Sequence, residues 1–144
     1  MAGRPLAARA RALIDAPTDG GRRARAVALS GRRNPPPTRH TASPRYIIER
    51  EIPGVGSLSV ERLSDVARRS NEVLRQLPDI QWVQSYVTAN KMTCVYIASD
   101  AEIIREHAQR GGFPADSVEE ILFIVDPTTE SGAAYTAPGV RQGA

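Results

Sequence analysis

Between residues 44 and 129, segments whose apolar positions recur every two residues alternate with segments in which they recur every three or four residues. They predict a strand, a helix, two strands, a second helix and a last strand. The first strand, residues 46–52, alternates with the period of two that is typical of a strand with two different faces. The first helix is predicted to begin near Ser59, a favourable N-cap residue, and to be stopped by Pro78.

The second half of the pattern completes the set of elements. Residues 80–88 and 92–98 are rich in aromatic and β-branched side chains and predict the two strands of a hairpin. Ser99 and Glu102 have the spacing of a capping box, so we expect the second helix to begin there. An unbroken apolar run at residues 121–125 predicts a fourth strand that is buried on both faces.

The order β-α-β-β-α-β is that of a ferredoxin-like α+β sandwich, an antiparallel sheet with two helices on one face. The other sheet face would be polar in a monomer, yet the predicted strands are apolar or aromatic at nearly every position. Large exposed apolar patches mark interfaces. We therefore predict a homodimer of the dimeric α+β-barrel kind, in which two open sheet faces meet and enclose a cavity.

The composition divides the chain into three parts. Residues 1–43 contain nine Arg, no Lys, no aromatic residue, and only Asp15 and Asp19 as acids. A segment with so little apolar surface cannot offset its conformational entropy, so we predict a disordered Arg/Pro-rich extension. Residues 44–130 are predicted to form the ferredoxin-like domain, and residues 131–144 a flexible C-terminal tail.

The charge of these parts limits the partners. Nine Arg against two Asp give the extension a charge of +7, whereas residues 44–144 carry ten Lys and Arg against fourteen Asp and Glu, or −4. Nucleic acid is therefore not expected as a partner, except non-specifically through the Arg-rich extension. No apolar run is long enough for a membrane span. The single Cys94, expected to be a buried inert thiol, excludes an intramolecular disulfide, and we predict a cytoplasmic protein.

Four separated segments are informative together: residues 46–54, 81–87, 94–98 and 105–114. In this order they resemble a family of small bacterial domains of unknown function that includes a nickel-binding protein, and the resemblance covers residues 45–130. It implies a ferredoxin-like domain, a dimer, and a divalent transition metal such as nickel as a cofactor.

The nickel-binding relative has a His-x-x-x-x-x-His-Pro arrangement at the end of its second helix. The first position corresponds to His107 here, but the second is Phe113, followed by Pro114. An imidazole can ligate a transition metal or transfer a proton near neutral pH. His107 could equally pack at the helix edge, since it follows Ile104 by three residues. We take His107 and Glu49 as the candidate metal ligands.

Glu49 and Glu51 are two residues apart, so their carboxylates share one strand face. Such a pair can supply a general base or hold a hard cation. The alternative is a set of ordinary surface ion pairs with Arg45, Arg50 and Lys91.

The same spacing predicts that Trp82, Gln84 and Tyr86 share a strand face. Together with Glu49 they are the candidate ligand-binding residues, because aromatic side chains and one oriented polar group suit a small-ligand pocket. They also suit a plain dimer core.

No segment carries a recognised catalytic motif, and we name no catalytic residue. The first hypothesis is a small dimeric binding protein that holds a metal or a small ligand. The alternatives are a dimeric α+β-barrel enzyme of the cofactor-independent oxygenase or isomerase type, supported by fold analogy alone, and an assembly module tethered by its Arg-rich extension.

Overall fold

The computed structural model describes residues 43–141. The predicted disordered extension, residues 1–43, lies outside this part except for its last residue. The elements follow the predicted order and end with two short strands: β1 Arg45–Glu51, α1 Val60–Leu74, β2 Ile80–Val87, β3 Lys91–Ala98, α2 Ala101–Gly111, β4 Ser117–Glu120, β5 Phe123–Ile124 and β6 Tyr135–Thr136. Within residues 43–141, neither helix combines the length and apolar character that crossing a membrane requires.

The main sheet has four strands in the order β2-β3-β1-β4, and every neighbouring pair is antiparallel. β1 and β3 form its centre, with Ile48 opposite Cys94. Both strands alternate between buried and more exposed residues. Since both helices pack on the buried side, the sheet has one covered face and one open face. Two helices on an antiparallel sheet confirm the α+β class.

The core lies between the two helices and the covered face of the sheet. Its most deeply buried apolar residues come from β1, from the turn that follows it, from β3 and from α2: Ile48, Ile52, Val55, Ala98 and Ile104. Burial of one such aliphatic side chain stabilises the fold by roughly 1.5–3 kcal/mol. This face therefore carries most of the apolar stabilisation.

α1 begins as its sequence predicts. The Ser59 hydroxyl accepts a hydrogen bond from the Arg62 N–H, which confirms Ser59 as the N-cap. The regular helix ends at Leu74, about one turn before Pro78. The apolar face of this helix forms one wall of the cavity described below.

The cap of α2 differs from the predicted one. The Asp100 carboxylate accepts the Ile103 N–H at 3.0 Å, so Asp100 is the N-cap and the predicted capping box of Ser99 and Glu102 is wrong. Asp and Ser are about equally good caps, and Asp100 lies directly before the first helical residue. Glu102 instead accepts a hydrogen bond from Arg105, one turn along the helix.

The fourth strand of the sheet also differs from the prediction. β4 is Ser117–Glu120, which pairs with β1, whereas the predicted strand was residues 121–125. Asp116 explains the earlier start: its N–H donates to the Glu49 carbonyl at 2.9 Å, and its carboxylate accepts the Glu51 N–H at 2.7 Å. These two bonds bring the chain to the edge of β1 immediately before residue 117.

The apolar run at residues 121–125 is not buried on both faces. Leu122, Phe123 and Val125 are exposed, and β5 pairs with β6 in a separate two-stranded sheet. The β6 residues fall in the predicted tail, residues 131–144, and the boundary at residue 130 stays a prediction.

Candidate functional site

A β-bulge in β2 decides which side chains meet on the covered face. The pairing of β2 with β3 shifts register between Trp82 and Gln84, so Val83 is an extra residue in the ladder. Trp82 lies opposite Tyr96 on the covered face, whereas Gln84 and Tyr86 lie on the open face. The prediction that Trp82, Gln84 and Tyr86 share one face is therefore wrong, because the bulge reverses the alternation after Trp82.

A cavity of about 170 Å³ lies between α1 and the covered face of the sheet. Its walls are mainly apolar side chains from α1, β2 and β3: Leu63, Val66, Ala67, Trp82, Val87 and Met92. Val87, the last residue of β2, is 39% exposed. Of the predicted ligand-binding residues, the structure brings Trp82 alone to this cavity.

Arg50 lines the same cavity and is almost completely buried, at 1% exposure. Its Nε donates to the Cys94 thiol at 3.5 Å, and its Nη1 donates to the Pro114 carbonyl oxygen. The guanidinium lies 5.5 Å from the centre of the Phe113 ring. Its Nη2 is buried without a hydrogen-bond partner in the part of the chain that the structure describes. Arg50 is thus not the surface ion expected from the sequence.

His107 packs against two of the aromatic residues that line this cavity, Tyr96 and Phe113. It is fully buried, and its Nε2 shares a 3.1 Å hydrogen bond with the Ser70 hydroxyl. Its ring stacks on Phe113 at 5.6 Å and lies 5.4 Å from the Tyr96 ring. Burial, and then the positive charge of Arg50, lower the pKa of His107 to about 4. His107 is therefore neutral at pH 7.

The hydrogen bond between Ser70 and His107 has the geometry of a nucleophile and its base. A histidine with a pKa of about 4 is a weak base at neutral pH. Its Nδ1 has no partner among residues 43–141, so no carboxylate there orients the ring. The bond joins α1 to α2 and holds Ser70 at the cavity wall.

The other predicted site residues lie on the open face. Lys91 Nζ is 3.5 Å from the Glu49 carboxylate and 3.4 Å from the Glu51 carboxylate, and these charges raise the pKa of Lys91. The side-chain amide of Gln84 donates to the Tyr86 hydroxyl. Glu49 and Glu51 thus form the surface ion pairs that were one of the two interpretations of their spacing.

The candidate metal ligands are not brought together within the described part of this chain. Glu49 lies on the open face and His107 beneath the covered one, so the sheet separates them. Residues 43–141 hold no cluster of three or more His, Cys, Asp or Glu side chains that could bind a metal ion. The free thiol of Cys94 is buried, as expected, and its contact is a guanidinium.

Comparison with known proteins places this site in a family. The family described as nickel responsive protein SCO4226-like matches residues 46–121, more than half of the chain. The chain belongs to the SCO4226-like family. This confirms the resemblance found in the four sequence segments. The cavity residues of this SCO4226-like protein, from Arg50 to Phe113, all lie within the matched range.

One solved structure that this SCO4226-like protein resembles is SCO4226 from Streptomyces coelicolor A3(2). The match covers 54% of this chain and 94% of SCO4226, with 15% sequence identity and a TM-score of 0.47. No curated protein matches the chain.

Proposed function

We propose that this chain is a small binding protein. It holds a ligand about the size of one aromatic ring in the cavity between α1 and the sheet. The observation that carries the proposal is a mainly apolar cavity of about 170 Å³ that is lined by Arg50, a buried residue whose Nη2 has no hydrogen-bond partner among residues 43–141. Binding sites for small molecules combine apolar walls with a few placed polar groups. An apolar cavity of roughly 150 Å³ is large enough to bind benzene.

Filling the cavity tests the proposal. We expect toluene to bind wild-type protein and to shift the amide NMR signals of the cavity residues in α1 and β2. Ala67→Phe adds a ring at the cavity wall and should abolish these shifts. Ser64→Phe adds the same ring at an exposed position of α1 and serves as the matched control. Shifts that persist in Ala67→Phe, or no binding to the wild type, would contradict the proposal.

We also propose that the protein is a homodimer through its open sheet face. Ile47, Val95 and Ile97 remain partly exposed there, and Tyr86 is 58% exposed. An apolar surface of this kind is typical of an interface. The predicted residues Glu49, Gln84 and Tyr86 would then lie at the interface. The sheet order and the position of the helices support the description of each protomer as ferredoxin-like.

Sedimentation at micromolar concentration tests the dimer. Wild-type protein should sediment as a dimer, and Val95→Glu should sediment as a monomer, because a carboxylate in the middle of the open face would be buried without a partner. Leu122→Glu, which places the same charge on an exposed residue outside the main sheet, should stay dimeric. A monomeric wild type, or a monomeric Leu122→Glu beside a dimeric Val95→Glu, would contradict the proposed interface.

Nickel is a second candidate ligand, supported by the description of the family. The residues of one protomer do not fit a nickel ion: His107 Nε2 is bonded to Ser70, and no further donor cluster occurs in residues 43–141. Nickel binding therefore stays a prediction that requires donors from elsewhere. The cytoplasmic location, the enzyme alternative and the tethered assembly module also stay predictions.

A further inference from the structure

The buried guanidinium of Arg50 carries a positive charge that no anion among residues 43–141 neutralises. Its neighbours are a thiol, a carbonyl oxygen, an aromatic ring and the Tyr96 hydroxyl, none of which is an anion. No carboxylate in residues 43–141 forms an ion pair with it. An arginine side chain stays protonated in proteins, and a buried charge without a counter-ion is costly. The cavity beside Arg50 is the space in which a counter-ion can lie.

The donors of Arg50 that are already used limit the shape of that counter-ion. The Nε N–H and one N–H of Nη1 are engaged by Cys94 and Pro114, and Nη2 has no hydrogen-bond partner among residues 43–141. The two N–H groups of Nη2 and the second N–H of Nη1 are the donors that remain for the oxygens of a ligand. These oxygens can also accept from hydroxyls: Ser70 lines the cavity, and the Tyr96 hydroxyl lies near both Ser70 and Arg50.

The remaining walls of the cavity argue for an apolar body. Most of the lining side chains are hydrocarbon, aromatic or thioether groups. The exceptions are Arg50, the Cys94 thiol and the hydroxyl groups of Ser70, Ser85 and Tyr96. A phosphate or sulfate would place its other oxygens against the apolar groups without hydrogen bonds, which is unfavourable. A monocarboxylate concentrates its polarity at one end and leaves an apolar body for the walls of α1 and β2.

From these contacts we infer that the cavity binds a small monocarboxylate whose carboxylate pairs with the guanidinium of Arg50 and whose apolar body fills the space under α1. The inference rests on the proposed function and adds the chemical class of the ligand. It assigns Arg50 as the residue that distinguishes an anion from a neutral molecule of the same shape. Arg50 also holds the loop at Pro114 through its Nη1, so its side chain is fixed before a ligand enters.

Three probes of similar size test the inference on the intact wild-type chain by calorimetry and NMR: benzoate, benzamide and toluene. Benzoate should bind at least about tenfold more tightly than benzamide, because charge-assisted hydrogen bonds are roughly twice as strong as neutral ones. Arg50→Met should remove this preference. Lys91→Met, which removes a positive charge from the open face, should leave it unchanged.

The possible results are distinguishable. If toluene and benzamide bind in the cavity and benzoate binds no more tightly, the inference is wrong and the proposed function stands. If none of the three probes binds the wild type, both fail. A preference that disappears in Lys91→Met places benzoate outside the cavity and overturns the inference. Because the wild-type comparison needs no variant, the test remains decisive even if Arg50→Met does not fold.

Discussion

Acidification from pH 7 to pH 5 is expected to destabilise the folded domain by about 2 kcal/mol through His107 alone. The pKa of His107 is lowered from its ordinary value of 6.5 to about 4 in the folded state. Between these two values the unfolded chain binds a proton that the folded chain does not. The stabilisation is therefore complete above about pH 6.5 and is lost as the pH falls toward 4.

The surroundings of His107 explain the direction of this effect. Burial beneath the sheet is the largest cause of the lowered pKa, and the Arg50 guanidinium adds repulsion of a second positive charge. A hydrogen bond to the Ser70 backbone opposes both effects and is weaker. The two aromatic neighbours, Tyr96 and Phe113, bring no negative charge at these pH values, since burial raises the pKa of Tyr96 above 10.

Urea unfolding of the wild type and of His107→Gln at pH 7 and pH 5 measures this contribution. The free energy of unfolding of His107→Gln should change between pH 7 and pH 5 by about 2 kcal/mol less than that of the wild type. The pH dependence that remains in both proteins reports the carboxylates, which serve as the internal reference. Equal pH dependence in wild type and variant would show that His107 titrates in the folded state as it does in the unfolded chain.

Much of the fold could be predicted from the sequence because it depends on local periodicity. The alternation in β1 and β3 and the helical spacing of α1 are properties of short segments. The N-cap at Ser59 is similarly local. The strands and helices could therefore be predicted from apolar positions that recur every two residues in a strand and nearly every four residues in a helix.

The features that sequence reasoning missed depend on contacts between distant segments. Two hydrogen bonds between Asp116 and β1 set the register of β4. A pattern within one short segment of the sequence does not reveal such bonds. The bulge at Val83 likewise arises from the pairing of β2 with β3, and it moved Gln84 and Tyr86 to the open face. One extra residue in a ladder reverses every later side chain.

Arg50, the buried cavity residue that was not among the candidates, did leave a signal in the sequence. Arg50 alternates with Ile48 and Ile52, so the period of two places it on the apolar face of β1. Surface pairing of Arg50 with Glu49 and Glu51 was one of the two interpretations of these carboxylates, and it conflicts with the alternation, since sequence neighbours in a strand point to opposite faces. A charged residue in register with buried aliphatic neighbours is the pattern that identifies such a site.

The substitution Gly111→Ala is expected to destabilise the domain by about 2 kcal/mol and to disrupt the cavity. Alanine normally stabilises a helical position relative to glycine, by up to about 1 kcal/mol. Here a Cβ on Gly111 would overlap the ring of Phe113. That ring stacks on His107 and lies against Arg50, so it cannot move without disturbing both. Overpacking of this kind costs roughly 1–3 kcal/mol.

The neighbouring glycine provides the control that separates strain from steric overlap. Gly112 has a φ of 72°, and a Cβ there would meet no atom within 4 Å. Gly112→Ala should therefore cost about 1 kcal/mol from the left-handed backbone alone. It should leave toluene binding and the NMR signals of the His107 ring unchanged, whereas Gly111→Ala should weaken toluene binding about tenfold and shift those signals. If both variants preserved binding, Phe113 would not be the side chain that shapes the cavity, because the substitution that displaces its ring would leave the ligand site intact.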